Sequence, residues 1–236
     1  MMQKSGLAWD DLLVTSRRSP RAVPPDWWRG TTPQRLPGHA STRIGGEIRV
    51  FDSSSLPVNE PSLVRPVFFD QAHGSGLDVV LDDLSLVVCW SEFDQCTFRQ
   101  RSRRLNAKGI AAQGSFGNRP SIYRDCTFTG ARFKQLGGFT TGAARFVGCR
   151  FERCSFSGHF SRSADYVECA FTGKIDGCVW YGRVPPGDAD AGRRNEITGN
   201  DFTGATFGTN IGWRGDVDFT AQRWPDGFQP IPEGLG

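Results

Sequence analysis

The sequence predicts an all-β protein whose chain winds into a parallel β-helix with four sides in each coil. The first observation is that aromatic side chains recur five residues apart between Phe93 and Phe207, usually two positions after a small residue. A helix or a long strand would scatter such side chains, because its side-chain period is about 3.6 or about 2 residues. A chain that turns a corner every five residues keeps them all pointing inward. The second observation is the abundance of turn formers, 29 Gly and 14 Pro, which favours many corners and few long helices.

The repeated unit is a small residue, any residue and an aromatic residue. It occurs as Cys96-Thr97-Phe98, Cys126-Thr127-Phe128, Ala131-Arg132-Phe133, Ala144-Arg145-Phe146, Cys149-Arg150-Phe151, Cys154-Ser155-Phe156, Cys169-Ala170-Phe171 and Ala205-Thr206-Phe207, with Asn200-Asp201-Phe202 as a polar variant.

The spacing from coil to coil is a sharper test, because all inward positions of one coil must shift together. From Phe93 the chain moves by 30, 23, 20 and 31 residues to Tyr123, Phe146, Tyr166 and Ile197, and the neighbouring small and aromatic positions move by the same numbers. Each offset is therefore one coil of twenty residues plus an insertion of ten, three, zero or eleven residues.

These offsets predict an interior of stacked columns, with neighbours about 4.8 Å apart as between strands. The columns are Phe98, Phe128, Phe151, Phe171 and Phe202; Cys96, Cys126, Cys149, Cys169 and Asn200; and Phe93, Tyr123, Phe146, Tyr166 and Ile197. A fourth column contains Phe133, Phe156 and Phe207. Strict counting would add Asp176, which is costly to bury without a partner. A slip of one residue is favoured, placing Ile175 and Trp180 inside with Gly173 and Cys178 at the small positions.

Over about residues 84–220 these units resemble those of the pentapeptide repeat family, although the frequent Cys and Phe and the insertions depart from its pattern. The resemblance implies a right-handed quadrilateral β-helix with about twenty residues in each coil. It also implies a binding protein. Some members of that family mimic duplex DNA and bind type II topoisomerases, which confers antibiotic or toxin resistance. Members of the family often form homodimers through their terminal coils.

Composition divides the chain into three parts. Residues 1–62, rich in Pro, Arg, Ser and Gly, are expected to form an irregular N-terminal extension or cap. Residues 63–220 are expected to form the β-helix, with loops at 99–120 and 182–196. Residues 221–236, which contain Trp224-Pro225-Asp226-Gly227-Phe228, are expected to form a capping tail, because a solenoid must cover its open ends.

The sequence predicts a cytoplasmic protein with no membrane partner. No stretch approaches the roughly 18 apolar residues that span a membrane. The first eleven residues lack the apolar segment of a secretory signal. Seven Cys, an odd number, fit reduced thiols in the cytosol.

No catalytic, cofactor or metal site is predicted, so we expect a protein that is not an enzyme. The cysteines lack the C-x₂₋₄-C spacing of structural zinc sites and are better explained as small core residues. The histidines are His39, His73 and His159. His159, Ser161 and Asp165 are close in sequence, but no nucleophile motif surrounds the serine, so a structural His159 is the favoured interpretation.

Charge is distributed unevenly along a chain whose net charge is +3. Residues 93–181 carry 14 Lys and Arg against 6 Asp and Glu, whereas the flanking segments carry small negative charges. The candidate partner-binding residues are Arg99, Arg101, Arg103, Arg104, Lys108 and Arg119. These residues lie in the expected loop 99–120. A basic loop could bind phosphates or an acidic protein surface, or it could simply be solvated.

Three functional hypotheses follow. The first is a non-catalytic binding protein that presents a rigid β-helix face and projecting loops to a macromolecular partner, above all a protein. The second is a topoisomerase-binding DNA mimic, against which the basic excess of the regular coils argues. The third is nucleic-acid binding through the basic loop 99–119. A homodimer through the Trp-containing tail is a further expectation from the resemblance.

Overall fold

The computed structural model describes residues 42–56, 58, 63–102, 104–107, 109–188 and 190–230. The described chain contains one short 3₁₀ turn (Ser53–Ser55) and twenty β-strands. The strands are β1 (Thr42–Ile48), β2 (Arg65–Ser75), β3 (Asp78–Val80), β4 (Leu84–Cys89), β5 (Glu92–Asp94), β6 (Thr97–Arg99), β7 (Gln113–Ser115), β8 (Ser121–Arg124), β9 (Thr127–Thr129), β10 (Arg132–Phe133), β11 (Phe139–Thr140), β12 (Ala144–Val147), β13 (Arg150–Ser157), β14 (Phe160–Ser161), β15 (Asp165–Val167), β16 (Ala170–Asp176), β17 (Val179–Tyr181), β18 (Ile197–Thr198), β19 (Asp201–Phe207) and β20 (Gly212–Arg214).

The strands stack as parallel ladders on four sides of a coiled chain, which confirms the predicted fold class. Side 1 is the ladder β5–β8–β12–β15–β18, and side 2 is β3–β6–β9 continued by the first halves of β13, β16 and β19. Side 3 is β10 with the second halves of those three strands. Side 4 is β1–β2–β4–β7–β11 in the first coils and the separate sheet β14–β17–β20 in the later ones.

The interior consists of the expected columns. In the Phe column the ring centroids of Phe98, Phe128, Phe151, Phe171 and Phe202 follow one another at 5.0, 5.0, 4.8 and 4.6 Å. In the neighbouring column Phe93, Tyr123, Phe146 and Tyr166 follow at 5.3, 5.1 and 5.3 Å. All of these rings and the four thiols of Cys96, Cys126, Cys149 and Cys169 are buried.

The cysteines suit their column because their thiols satisfy backbone groups between coils. The Cys149 thiol donates to the carbonyl oxygen of Tyr123 at 3.3 Å, and the Cys126 sulfur accepts from the amide of Cys96 at 3.4 Å. In the last coil Asn200 takes over this task, since its Oδ1 accepts from the amide of Cys169 at 2.9 Å. A cysteine at this position is therefore small enough for the column and also forms hydrogen bonds to the backbone of the adjacent coil.

The one-residue slip in the fourth column occurs at Gly173. Cys154 pairs with Gly173 and Phe156 with Ile175, so Ile175 is buried and the Asp176 carboxylate lies outside with Lys174. Gly173 has a φ of 108°, and a Cβ there would lie 2.2 Å from the carbonyl oxygen of Cys154. Only glycine permits this close corner, which is one residue shorter than the corners of the coils on either side.

Both ends of the described coil carry additional structure. At the first end β1, which falls in the segment 1–62 that was expected to be irregular, pairs in parallel with β2 from Thr42 onward. At the other end the indole of Trp224 stacks on Phe202 at 5.0 Å, and Phe228 stacks on Phe207 at 4.0 Å. These two rings continue two interior columns by one more layer.

The described parts of both expected loops contain paired backbone. β7 lies inside the expected loop 99–120, and Phe116 of that loop is buried in the core beside Phe139 of β11. The insertion 182–196 folds back on itself through an antiparallel bridge between Arg183 and Arg194.

Candidate macromolecule-binding surface

The basic loop does not present its arginines as a free cluster. Arg99 is ion-paired with Asp78 on the adjacent coil, and the Arg101 Nε donates to Asp82 at 3.1 Å. Arg104 is exposed. Arg103 and Lys108 lie outside the described residues. Because coils stack about 4.8 Å apart, residues about twenty apart in sequence become neighbours, and acids of the preceding coil meet these arginines.

The loop is also fixed to the coil beneath it. The Asp82 Oδ1 accepts from the amides of Arg101 at 2.6 Å and Ser102 at 3.0 Å. The Asn106 Nδ2 donates to the carbonyl oxygen of Leu63 at 3.2 Å, and its Oδ1 accepts from the amide of Ile110 at 3.0 Å. An aspartate and an asparagine thus bond backbone amides of the loop at residues 101, 102 and 110.

Arg119, the last predicted contact residue, lies apart from Arg99 and Arg101. Its guanidinium carbon is 5.9 Å from the centroid of the Trp90 ring, in a cation–π arrangement. Trp90 has a φ of 46°, which is uncommon for a bulky side chain and places the indole at the corner between sides 4 and 1.

Charge pairing between coils removes most of the basic excess seen in the sequence. Five arginines of the segment 93–181 pair with acids that lie outside that segment. The pairs are Arg99–Asp78, Arg101–Asp82, Arg124–Glu92, Arg145–Glu196 and Arg162–Asp188. A charge count along the chain therefore overstates the positive surface.

A buried ionic cluster holds the insertion 182–196 against side 1. The Asp165 carboxylate, 1% exposed, accepts from Arg145 at 3.1 Å and from Arg193 at 3.0 Å, and also from the amide of Glu196 at 3.0 Å. Burial raises the pKa of Asp165, while the two arginines oppose that shift. Asn195 adds two hydrogen bonds, to the carbonyl oxygens of Arg162 and Tyr181, at 2.8 and 2.6 Å. None of these anchors was predicted.

The sheet β14–β17–β20 carries an exposed group of aromatic, aliphatic and arginine side chains that the sequence analysis also missed. Phe160 is 44% exposed and lies beside Val179 in the ladder. Tyr181 lies between two arginines, with the guanidinium carbons of Arg162 and Arg214 at 5.9 and 5.8 Å from its ring centroid. We call these five residues the arginine–tyrosine face. The slip at Gly173 decides which side chains of β17 point outward, so the face follows from the register.

His159, Ser161 and Asp165, which are close in sequence, each bind a different partner. The Thr141 hydroxyl is 3.1 Å from the His159 Nε2, the Ser161 hydroxyl bonds the Tyr166 hydroxyl at 3.3 Å, and Asp165 binds arginines. His159 is buried beside the rings of Phe133 and Phe156, and burial lowers its pKa to about 4. His159 is therefore a neutral core residue.

The cysteine thiols also belong to the core. All seven cysteines are free and buried. Burial raises the pKa of the Cys149 thiol well above its usual value and that of Cys89 to about 12. Within the described ranges, no group of three or more His, Cys, Asp or Glu side chains is placed to hold a metal ion.

A shallow depression of about 290 Å³ opens at the first end of side 1, lined by Glu47, Ile48, Arg49, His73, Gly74, Ser75 and Asp94. Its mixed charged lining differs from the enclosed, mostly apolar sites that hold small ligands.

Among the described segments, no helix has the length and hydrophobicity needed to cross a membrane.

Comparison with known proteins gives matches among solved structures only. No protein-family model matches the chain, and no curated protein is similar to it. A trypsin-treated variant of QnrB1, a plasmid-mediated fluoroquinolone resistance protein, aligns at 13% identity and a TM-score of 0.36 over 78% of this chain and 79% of that chain. A second trypsin-treated variant gives 14% identity and a TM-score of 0.25 over 78% of each chain. Full-length QnrB1 aligns at 13% identity and a TM-score of 0.19 over 79% of this chain and 92% of that chain.

Proposed function

We propose that the protein is a non-catalytic binding module that presents a rigid β-helix face and its two larger insertions to a protein partner. The observation that carries this proposal is that both insertions are held in place by buried or half-buried anchors. In the first insertion, Asp82 and Asn106 bond the amides of residues 101, 102 and 110. In the second, Asp165 binds Arg193 and the amide of Glu196, and Asn195 donates to the carbonyl oxygen of Tyr181. A surface that is ordered before binding loses little conformational entropy when it docks.

The filled interior supports the same conclusion. The Phe151 ring, for example, has six aromatic neighbours with centroids between 4.8 and 6.1 Å away, namely Phe128, Phe133, Phe146, Phe156, Tyr166 and Phe171. Such packing leaves no room for a substrate between these columns. A partner would therefore bind to the outer surface of the coil.

Affinity capture with the full chain tests this proposal. Two variants accompany it, one with residues 102–110 and one with residues 186–191 replaced by short glycine linkers. Both keep Asp82, Asp165 and Asn195, whereas the first variant removes Asn106 together with the loop that it bonds. We expect a protein that cross-links reproducibly to the intact chain and is lost from at least one variant. If no protein is enriched over a charge-matched control bait, the proposal is wrong.

Two alternatives have their own assays. Salt-sensitive retention of duplex DNA that disappears with residues 102–110 would favour nucleic-acid binding through the basic loop. The pairing of Arg99 and Arg101 with Asp78 and Asp82 argues against many phosphate contacts there. Inhibition of gyrase supercoiling, or protection of gyrase from quinolones, would favour a type II topoisomerase as partner.

A further inference from the structure

The first coils place one histidine in a row of carboxylates on the outside of side 1. Glu47 of β1 pairs in register with His73 of β2, and His73 pairs with Glu92 of β5. Neighbours in such a ladder lie about 4.8 Å apart and point to the same face of the sheet. The residues on either side of His73 in β2 are buried, so its imidazole points outward, where it lines the shallow depression together with Glu47 and Asp94.

The charged groups around His73 include one more acid than arginine among the residues that the structure describes. The groups that face it from β1, β5, β8 and the segment after β1 are the carboxylates of Glu47, Glu92 and Asp94 and the guanidinium groups of Arg49 and Arg124. Arg49 pairs with Glu47 at 3.2 Å, and Arg124 pairs with Glu92 at 3.1 Å and with Asp94 at 3.6 Å. One negative charge therefore remains, and a protonated imidazole would balance it.

The other acid of β2 does not change this balance in sign. Asp70 lies beyond the corner at Gln71, which has a φ of 53°, and is in register with Cys89 on side 4. Of the two carboxylates next to His73 in the row, Glu92 is the more sheltered, with 15% of its side chain exposed against 70% for Glu47. Because sheltered charges are screened less by water, Glu92 is the stronger partner.

Histidine is the residue whose charge changes most readily near neutral pH. An opposite charge within about 4–6 Å favours its protonated form, so His73 should keep its proton to a higher pH than an isolated histidine, which releases it near pH 6.5. The neighbouring carboxylates and guanidinium groups stay charged over this range. A rise in pH therefore leaves the two carboxylates of the row without the cation between them.

We propose that His73 is a pH-sensitive clasp for the first strand of the coil. In its protonated form it lies between Glu47 and Glu92 and links β1 to β5 across β2, and in its neutral form it links neither. Among the described strands β1 pairs only with β2, so it has no second ladder to hold it in place. This inference concerns the first coil and does not depend on the proposed function.

The sign of the pH effect follows from the direction of the charge pairing. The stabilisation of β1 by His73 is complete below about pH 6.5 and is lost as the pH rises through the point at which His73 releases its proton in the folded chain. His159 does not contribute to this change, because burial lowers its pKa to about 4 and keeps it neutral throughout.

Titration of the full chain followed by two-dimensional NMR of the histidine rings tests the first step. The His73 signal is assigned by its loss in His73→Gln. We expect its titration midpoint above about pH 7, and closer to about 6.5 in Glu92→Gln. The matched control is Glu168→Gln, which removes a carboxylate from an exposed position in a later coil and should leave the midpoint unchanged.

Hydrogen exchange, expressed as protection factors, tests whether this titration holds β1. We expect protection of β1 to fall by about threefold to tenfold between about pH 6 and pH 8 in the intact chain, and to stay level in His73→Gln. β16, in a later coil, is the internal reference and should not change. A His73 midpoint at or below about pH 6.5 would overturn the proposal, and so would an equal fall in His73→Gln. A raised midpoint with constant protection of β1 would show that His73 senses its neighbours without holding the strand, and the clasp would then be wrong.

Discussion

At the scale of single residues, the same amino acid has very different roles inside and outside the coil. Phe151 is fully buried within a shell of aromatic rings, whereas Phe160 is 44% exposed on side 4. Both come from the same short stretch of chain, but only Phe151 belongs to the five-residue repeat. Their different surroundings make them a matched pair for measuring what the aromatic columns contribute to stability.

We expect Phe151→Ala to lower the free energy of unfolding by about 3–5 kcal/mol, because it leaves a cavity between stacked rings. Phe160→Ala should change it by no more than about 0.5 kcal/mol, as is usual at exposed positions. Denaturant unfolding followed by tryptophan fluorescence measures both. Equal losses from the two variants would mean that the stacked columns are not the source of stability.

His159 is a second residue whose surroundings predict a measurable property. Its imidazole is held neutral inside the coil, with its Nδ1 lacking a hydrogen-bond partner among the described residues. The folded pKa of about 4 lies below the usual 6.5. Between these two pH values the unfolded chain takes up a proton that the folded chain does not.

Stability should therefore fall as the pH is lowered from about 6.5 to about 4, by up to about 3 kcal/mol from this group. His159→Gln removes the titration and should flatten that part of the curve relative to the unmodified chain. Comparing the two curves cancels the effect of Asp165, whose raised pKa acts in the opposite direction over part of the same range. Parallel curves for the two proteins would contradict a buried neutral His159.

At the scale of elements, the insertion 182–196 contains an antiparallel bridge, and the Asp165 carboxylate connects it to the coil. Asp165 lies under it and contacts Arg193 from the hairpin as well as Arg145 from the coil. Removing one partner from a buried charge cluster leaves the others uncompensated, which is more costly than the pair itself is stabilising. The insertion should therefore be more sensitive to Asp165 than to any exposed acid of its own.

We expect Asp165→Asn to increase hydrogen exchange at the Val184 amide, which bonds to the Arg193 carbonyl, by about tenfold or more. The control is Asp190→Asn, at an exposed position in the same hairpin, and it should leave that exchange unchanged. Exchange-coupled mass spectrometry resolves the segment. If both variants protect Val184 as well as the original chain does, Asp165 does not anchor the insertion.

The columns and the fold could be predicted from sequence because they depend on a local five-residue repeat. Insertions interrupt this repeat, but the same positions point inward again after each insertion. The slip at Gly173 could also be predicted from sequence, because burying the Asp176 carboxylate without a partner is costly. The surface was not predictable in the same way. Which acid meets Arg101 or Arg162 depends on how the insertions fold over neighbouring coils, and that depends on anchors such as Asp82 and Asp165 rather than on the repeat. The arginine–tyrosine face was missed for the same reason.

At the scale of the whole molecule, the coils form a nearly one-dimensional stack in which each coil contacts mainly its neighbours. Stability in such a stack is approximately a sum of coil terms and nearest-neighbour terms, and the ends need capping. Trp224 and Phe228 provide the last layer over Phe202 and Phe207. The Trp224 indole N–H also donates to the carbonyl oxygen of Phe219 at 2.9 Å, so the tail is bonded to itself as well as stacked.

Replacing both Trp224 and Phe228 by alanine should therefore loosen the end of the stack without unfolding the rest. We expect faster hydrogen exchange in β17 to β20 and unchanged exchange in β4 to β6, because the lost contacts affect only the nearest coils. Val50→Ala, at a position that is 85% exposed near the first end, serves as the control and should alter neither region. A uniform rise in exchange from β4 to β20 would instead show that the whole stack unfolds as one cooperative unit. In that case the terminal rings would stabilise every coil, and a partner that docked on one end would stiffen the distant faces too.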